Sequence, residues 1–435
     1  MKWALYNLLF AAVYPFLLPG FLVRMLRRGG YAARMGDRFA LYPEGFFGGQ
    51  QGFVWIHAVS VGEVQVAGQL MREWRKVEPD VRFCFSTTSS TGWKMAEREF
   101  GVDGRCGENG DVLIYNPLDF PNFVKSALKT VRPRAIVLTE SEIWPNFIRM
   151  AKKMGIPLFL INARVSDRSA PRYKAAKWFF GEVLGCFTRI FAQSDLDKSR
   201  LVAAGAPTEK VEVTGSFKFD VAHRNEVKEK ELREWVGEGR ILLGGSTWPG
   251  EDEVLLKIYK GIVEASGAAG VRALPLLVIA PRHFEKADAI EANIRKAGFE
   301  CVRRSRGEGR ATKDERREKV YLADTTGELM GLYGIADVVF VGKSLCAHGS
   351  QNMIEPCLCG KPTIVGPYTE NFRPVMSDLL ASDAIIQVKD AAELEERIVS
   401  LFANGDSGLG ARAKVAVGKR LGVVAKCVKE IRSSL

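Results

Sequence analysis

At 435 residues the chain is long enough for two domains of ordinary size with large cores plus extensions, and a single domain would be an unusual outcome. Its formal charge of +11 and sequence pI of about 9.2 favour anionic partners, whether nucleic acid, phosphorylated small molecules or an acidic membrane surface, without choosing among them. The 8 cysteines show no regular framework in a chain too large to need staples, so they read as reduced thiols of a cytosolic compartment; Cys357 and Cys359 have no companion pair with zinc-like spacing, and packing is their expected role.

Trp3 to Val23 contains one strongly polar residue, Asn7, and is long enough to cross a bilayer. Arg24, Arg27, Arg28, Arg34 and Arg38 follow, with no acidic residue before Asp37, so the positive-inside rule puts the body of the protein on the cytoplasmic side. A cleaved signal peptide fits less well, because Lys2 is the only leading charge and no A-x-A site follows. Pro15 and Pro19 leave open a kinked span or a segment lying in the interface.

Beyond this anchor, strand-like runs alternate with helical periods: Phe53 to Ile56, Val81 to Phe85, Val112 to Tyr115, Ala135 to Leu138, Leu158 to Ile161 and Val211 to Val213. A second series runs through Ile241 to Leu243, Leu276 to Ile279, Val320 to Leu322, Val338 to Val341, Thr363 to Val365 and Ile385 to Gln387. Such alternation predicts an α/β fold with two doubly wound, Rossmann-like domains facing a cleft. The charged, helical stretch His223 to Val236 marks their junction, near residues 216–240. The expected divisions are an anchor and basic flank over 1–43, a first domain over 44–222, a second over 223–410 and a C-terminal helix over 411–435. Arg303 to Lys319, almost wholly charged or small, reads as a solvated insertion. Val417, Leu421, Val424, Val428 and Ile431 form one stripe on the last helix, which packs back onto the protein by default.

Candidate chemistry gathers at the strand ends. Glu63 follows the strand Phe53 to Ile56 and a bend that Gly62 allows, and stands at the start of a helix carrying Ala67, Leu70, Met71 and Trp74 at helical spacing. It is either a ligand-facing acid or a first-turn residue answering the helix dipole. Thr87 to Ser90, Asn116, Glu140, Glu142, Asn162, Arg164 and Lys218 continue the row of polar strand ends. One of Glu140 and Glu142 is expected to cap the helix that follows. In the second half, Leu243 to Glu251 is a strand, a glycine turn and a hydroxyl-bearing helix start, suited to an anion on free backbone N–H groups or to a simple tight turn. Arg282 ends another strand, as a phosphate ligand or as a surface arginine with no ligand. Gly349 to Pro356 offers a loop, an amide and an acid near a helix start, and a carboxylate there suits the paired hydroxyls of a ribose. Gly342-Lys343-Ser344 lacks the leading glycine of a P-loop, and Ser194 with Asp197 has the spacing of a capping box, so no metal site is assigned.

Seven segments in order, His57 to Glu63, Thr139 to Asn146, Asn162 to Arg164, Thr214 to Asp220, Pro281 to His283, Thr326 to Leu329 and Asn352 to Pro356, resemble the Kdo transferases. These membrane-associated glycosyltransferases move 3-deoxy-D-manno-octulosonic acid (Kdo) from CMP-Kdo to a lipid A precursor. The resemblance implies a GT-B fold with acceptor on the first domain and nucleotide on the second. It implies Glu63 as general base, Glu140 and Lys218 assisting the transition state, and Pro281, Arg282, Thr326, Gly327, Glu328, Asn352, Met353, Ile354 and Glu355 as contacts to CMP. It further implies an inverting reaction with CMP-Kdo as donor substrate, no cofactor and no metal, at the cytoplasmic face of a bacterial inner membrane. Lys343, Ser350 and Gln351 depart from the family's wording, which has small residues or histidine there. Alternatives are another GT-B nucleotide-sugar enzyme, or a non-catalytic membrane-tethered protein that binds anions. No interleaved aromatic and basic platform supports nucleic acid as a partner.

Overall fold

The computed structural model describes residues 2–28, 32–49, 51–100, 102–103, 106–107, 110–220, 226–269, 275–307 and 319–435. It divides into two compact units, Met1–Val221 with Gly422–Leu435, and Ala222–Leu421. The junction drawn at residues 216–240 falls partly on 221–225, outside the described residues, as does the middle of the Arg303 to Lys319 stretch.

Among the described residues the first unit holds nine strands: β1 (Val54–His57), β2 (Phe83–Thr87), β3 (Val102–Asp103), β4 (Cys106–Gly107), β5 (Val112–Tyr115), β6 (Ala135–Thr139), β7 (Leu158–Ala163), β8 (Arg189–Ala192) and β9 (Val211–Val213). Their order is β3-β4-β5-β2-β1-β6-β7-β8-β9, parallel except at β3 and β4. Because helices cover both faces, the central strands are apolar throughout. Alternate residues of β1 serve opposite cores: Trp55 packs on the side of Leu138 and Phe147, Val54 and Ile56 on the side of Leu70 and Trp74.

The second unit holds β10 (Ile241–Thr247), β11 (Leu276–Pro281), β12 (Glu300–Arg303), β13 (Lys319–Leu322), β14 (Val338–Val341), β15 (Thr363–Val365) and β16 (Ile386–Gln387). They are parallel throughout, in the order β12-β13-β11-β10-β14-β15-β16. The short strands β8 and β12 lie outside the runs read from sequence; each is four residues with a charged end, too brief for periodicity to reveal.

Three expectations change. The stripe from Val417 to Ile431 is split between two helices, Leu409–Gly418 in the second unit and Val423–Arg432 in the first. Gly422, at φ +83°, starts the latter, and Asp220 accepts the N–H groups of Gly422 and Val424 at 2.7 Å each. Arg303 and Arg304 are not solvated: Arg303 pairs with Asp288, Glu291 and Asp324, and Arg304 with Glu231 and Glu328. Third, among the described residues no helix is long and apolar enough to cross a membrane.

The N-terminal helix, Lys2–Arg28, instead lays its first turns on the first unit. Tyr6 stacks on Phe179 at 5.2 Å, Trp3 meets the same ring at a tilt at 5.3 Å, and Phe10 meets Phe120 at 5.1 Å. Arg34 and Arg38, expected to flank a span, pack over Trp93 and Tyr115. The side chains of Arg24, Arg27 and Arg28 lie outside the described residues.

Asp119 ties this helix to the fold. It accepts the N–H groups of Asn146 and Phe147 at 3.0 and 2.8 Å, at the start of the Pro145–Lys153 helix, and the Tyr6 hydroxyl at 3.1 Å. Burial pushes its carboxyl up to about 7 against the pull of these bonds. Asp119→Ala leaves two buried N–H groups without an acceptor and is expected to cost about 2–4 kcal/mol. Differential scanning calorimetry should show the first unit's transition lowered, and an unmoved transition would refute this account of the N-terminal docking.

Candidate functional site

In an open parallel sheet, ligands bind beyond the carboxyl ends of the strands, where the strand order reverses. Both units have such a point. In the first it lies between β1 and β6, paired in register through His57 and Leu138; in the second it lies between β10 and β14, paired through Gly245 and Val341. Left-handed backbone at non-glycine residues concentrates at these edges: Glu140 (φ +49°), Asn162 (+52°), Ser246 (+52°), Lys343 (+55°) and Ser350 (+59°). Each costs of order 1 kcal/mol and persists where the surroundings enforce it, as at sites of binding or catalysis.

At the first switch point Ser60 caps the Val61–Val77 helix, accepting the Glu63 N–H at 3.3 Å. The Glu63 side chain reaches back to the Val59 N–H (2.9 Å) and the Ser60 hydroxyl (3.0 Å). This is a capping arrangement, so the structural reading of Glu63 holds. It does not exhaust the residue, because the carboxylate is also drawn across the sheet to the Thr139 hydroxyl at 3.3 Å, at the end of β6. Gly62 lies inside the first helical turn rather than at the bend, and a Cβ there would meet nothing within 4 Å. The bend is made by Ala58 to Ser60, and the missing side chain leaves open space beside Glu63.

Glu140 follows Thr139 and is held by Asn162 of β7, whose amide donates to its Oε1 at 3.1 Å. The same amide's oxygen accepts the Phe217 N–H at 3.1 Å. Asn162 thus joins Glu140 to the turn Phe217–Phe219 that carries Lys218, whose side chain lies outside the described residues. Glu142 caps no helix; it accepts from the Trp144 indole at 2.9 Å and lies 3.5 Å from Nε2 of buried His57. The other ring nitrogen of His57 contacts the carbonyl and hydroxyl of Ser86. The roles of Asn162 and His57 were not foreseeable, since their partners come from other strands.

Along the same sheet edge, on the β11 side of β10, the ends of β11 and β13 enclose a cavity of about 140 Å³, lined by Ser246, Pro281, Arg282, Thr326, Gly327 and Glu328 among others. Five of the residues expected at the nucleotide are thereby brought together. The Glu328 carboxylate is engaged by Arg304, Lys228 and Thr325. Burial alone would raise its pKa, but hydrogen bonds from Arg304, Thr325 and Lys228 outweigh it and hold the group down to about 2. Met353 and Ile354 have no exposed surface, which leaves the backbone, Asn352 and Glu355 as the polar groups of that segment. Burial pushes the Glu355 carboxyl up, while a 3.0 Å hydrogen bond from Asn352 and the charge of Arg282 oppose it.

Gly244 to Thr247 are the end of β10 rather than a turn and a helix start, and the loop beyond them already holds an anion, the chain's own. Glu251, with no exposed surface, accepts the N–H groups of Trp248 (2.8 Å) and Lys343 (2.7 Å) on Oε2, and those of Ser344, Leu345 and Cys346 on Oε1 at 3.0 to 3.3 Å. The two loops meet so closely that a Cβ on Gly342 would lie 2.3 Å from the Ser246 carbonyl oxygen. Among the described residues no cluster of His, Cys, Asp or Glu is placed to hold a metal ion.

The family model for 3-deoxy-D-manno-octulosonic-acid transferase (kdotransferase) matches residues 33–221. The chain is 32% identical over 377 residues to the 3-deoxy-D-manno-octulosonic acid transferase of Haemophilus influenzae, covering 86% of this chain and 84% of that protein. It is 36% identical over 358 residues to the enzyme of the same name from Bordetella pertussis, covering 80% and 79%. In fold it is similar to a glycosyltransferase from Rickettsia africae (TM-score 0.54, 12% identity, 88% of this chain and 98% of that one) and to HepE of Anabaena in complex with UDP (0.55, 12%, 89% and 100%).

The engagement of Glu328 predicts a pH signature. Its folded-state pKa is depressed, so its contribution to stability is present above the ordinary value of 4.5 and is lost as pH falls through about 2. The thermal midpoint of the second unit in Glu328→Gln should lie below wild type at about pH 6, with the gap narrowing toward about pH 3. An equal gap at both pH values would show that the ion pairs contribute nothing.

Proposed function

The chain belongs to the 3-deoxy-D-manno-octulosonic acid transferase family of GT-B glycosyltransferases, and from that premise we propose that it moves Kdo from CMP-Kdo to a lipid A precursor with inversion at the anomeric carbon. The observation that carries the mechanism is Glu63, pinned at the first switch point by Val59, Ser60 and Thr139 and bordered by open space at Gly62. An acceptor hydroxyl must lose its proton as it attacks, and a carboxylate on the face opposite the departing CMP takes it. Pinning the carboxylate beforehand spares the reorganisation that a free side chain would need.

Glu140 and Lys218, joined through Asn162, would answer the charge that develops at the sugar and on the leaving phosphate. The nucleotide would occupy the cavity between β11 and β13, with Arg282 on its phosphate and Glu355, supported by Asn352, on the ribose hydroxyls. Pro281, Thr326 and Gly327 would contribute backbone contacts and shape, and so would Glu328, Met353 and Ile354, whose side chains are engaged or buried. The reading assigns no cofactor: CMP-Kdo is itself the activated species.

We also propose attachment to the cytoplasmic face of the inner membrane through the N-terminal helix lying in the interface. Its outer side presents Leu5, Leu8, Leu9, Val13 and Phe16, between 47% and 85% exposed, while Trp3, Tyr6 and Phe10 face the protein. Trp178, 53% exposed, lies beside Lys2 and extends this apolar strip. An apolar strip bordered by cations is what an interfacial helix presents to anionic lipid.

Two experiments test these readings. With CMP-Kdo generated in situ and an acylated glucosamine disaccharide phosphate, the wild type should release CMP and add a Kdo mass increment to the lipid. Glu63→Gln should keep fold and CMP affinity, because its amide oxygen still accepts from Val59, but lose turnover by about a hundredfold or more. Near-normal turnover would return Glu63 to capping alone. For the membrane, the double variant Leu8→Asp with Phe16→Asp should reduce flotation with phosphatidylglycerol vesicles at least about tenfold, since each buried apolar side chain is worth roughly 1.5–3 kcal/mol. Unchanged flotation would remove the helix from the membrane contact.

A further inference from the structure

Lys343 is the second residue after β14, following Gly342 at the second switch point, and three features set it apart. Its backbone is in the left-handed region at φ +55°, which glycine adopts without strain and lysine does not. That conformation is enforced from both sides, since its N–H donates to Glu251 at 2.7 Å and its carbonyl accepts the Ser350 N–H at 2.8 Å. Its ammonium lies 4.8 Å from the centre of the Trp248 ring and makes no ion pair among the described residues. Trp248 in turn packs edge-on against His283, next to Arg282, at 4.7 Å.

The charge of a nucleotide-activated sugar acid makes this arrangement meaningful. Such a donor carries a negative charge on its phosphodiester and another on the sugar carboxylate. In a doubly wound sheet, backbone N–H groups at the switch point commonly take such an anion. Here those of residues 343–346 are filled by Glu251, whose own charge would repel a phosphate placed beside it. The donor's charge must therefore be met by side chains, and two described cations at this edge make no ion pair among the described residues: Arg282, in the nucleotide cavity, and Lys343, beyond it between β10 and β14. We propose that Lys343 is a donor-binding residue, held on the Trp248 ring in the free protein, whose ammonium pairs with an anionic oxygen of the nucleotide sugar acid, either on its phosphate or on its sugar carboxylate. The inference rests on the reading of the second unit as the CMP-Kdo domain and adds a residue to it. Glu251 and Trp248 are positioning residues for this lysine: one fixes its backbone and the other shelters its charge.

The test compares Lys343→Met, Lys343→Arg and Lys343→Gly in the full chain, with affinities for cytidine and CMP by calorimetry and steady-state rates with CMP-Kdo. Lys343→Met should raise the donor KM about ten- to a hundredfold, the range of a charge-assisted hydrogen bond, and Lys343→Arg should recover part of it. CMP affinity weakened while cytidine affinity is retained would locate the contact on the phosphate. Unchanged CMP affinity with a raised donor KM would locate it on the sugar carboxylate. Lys343→Gly relieves the backbone strain, so it should melt at or above the wild-type temperature while losing donor affinity like Lys343→Met. Unchanged donor KM and CMP affinity in both Met and Gly variants would overturn the proposal. A wild type that binds CMP but transfers no Kdo would instead sink the functional reading, while the CMP and cytidine comparison would still decide whether Lys343 meets the phosphate.

Discussion

A glutamate in the first turn of the helix that follows the first strand of each sheet holds each switch point together. The two residues are Glu63, after β1, and Glu251, after β10. A parallel sheet ends its strands in loops whose N–H groups have no ladder partner, and something must accept from them if the loops are to hold one shape. In both units a carboxylate accepts, at the place where the helix dipole favours negative charge. The rest of each site is built outward from that contact.

The two glutamates then diverge. Glu251 accepts five backbone N–H groups and has no exposed surface, so its lone pairs are engaged and its role is to fix the loops around Ser246 and Lys343. Glu63 accepts one backbone N–H, contacts two hydroxyls and keeps 8% exposure. Hydroxyl partners can reorient when a proton arrives, which backbone N–H groups cannot. That difference separates a structural carboxylate from one suited to proton transfer, although both begin as acids near a helix start. Filling the second unit's N–H groups from within also transfers the task of meeting donor charge to side chains, where single residues such as Lys343 can adjust it.

Much of this was legible beforehand. The apolar runs around Val54, Ile136, Val278 and Val339 are buried on both faces of their sheets, so they announced parallel strands regardless of helix placement. The row of polar strand ends placed Glu63, Glu140, Asn162 and Arg282 at the correct edge, because a strand's direction follows from chain order. Short elements were less visible: β12 lay outside the runs read from sequence, and Arg303 with the charged turn Arg304–Arg306 looked like solvated insertion because their partners Asp288, Glu291 and Glu231 are distant in sequence. The N-terminal helix misled in another way. Its composition allows a span, but half of its early turns is used against Phe179, Phe120 and Asp119.

By itself the sequence determined the fold class, the strand-end location of the chemistry and the family, because hydrophobic periodicity and ordered motifs are properties of the linear chain. Tertiary structure decided which carboxylate is spent on backbone and which remains available, that Asn162 links Glu140 to the turn bearing Lys218, and that Lys343 makes no ion pair among the described residues. Each of these depends on contacts between segments far apart in sequence, which come together only when each sheet assembles.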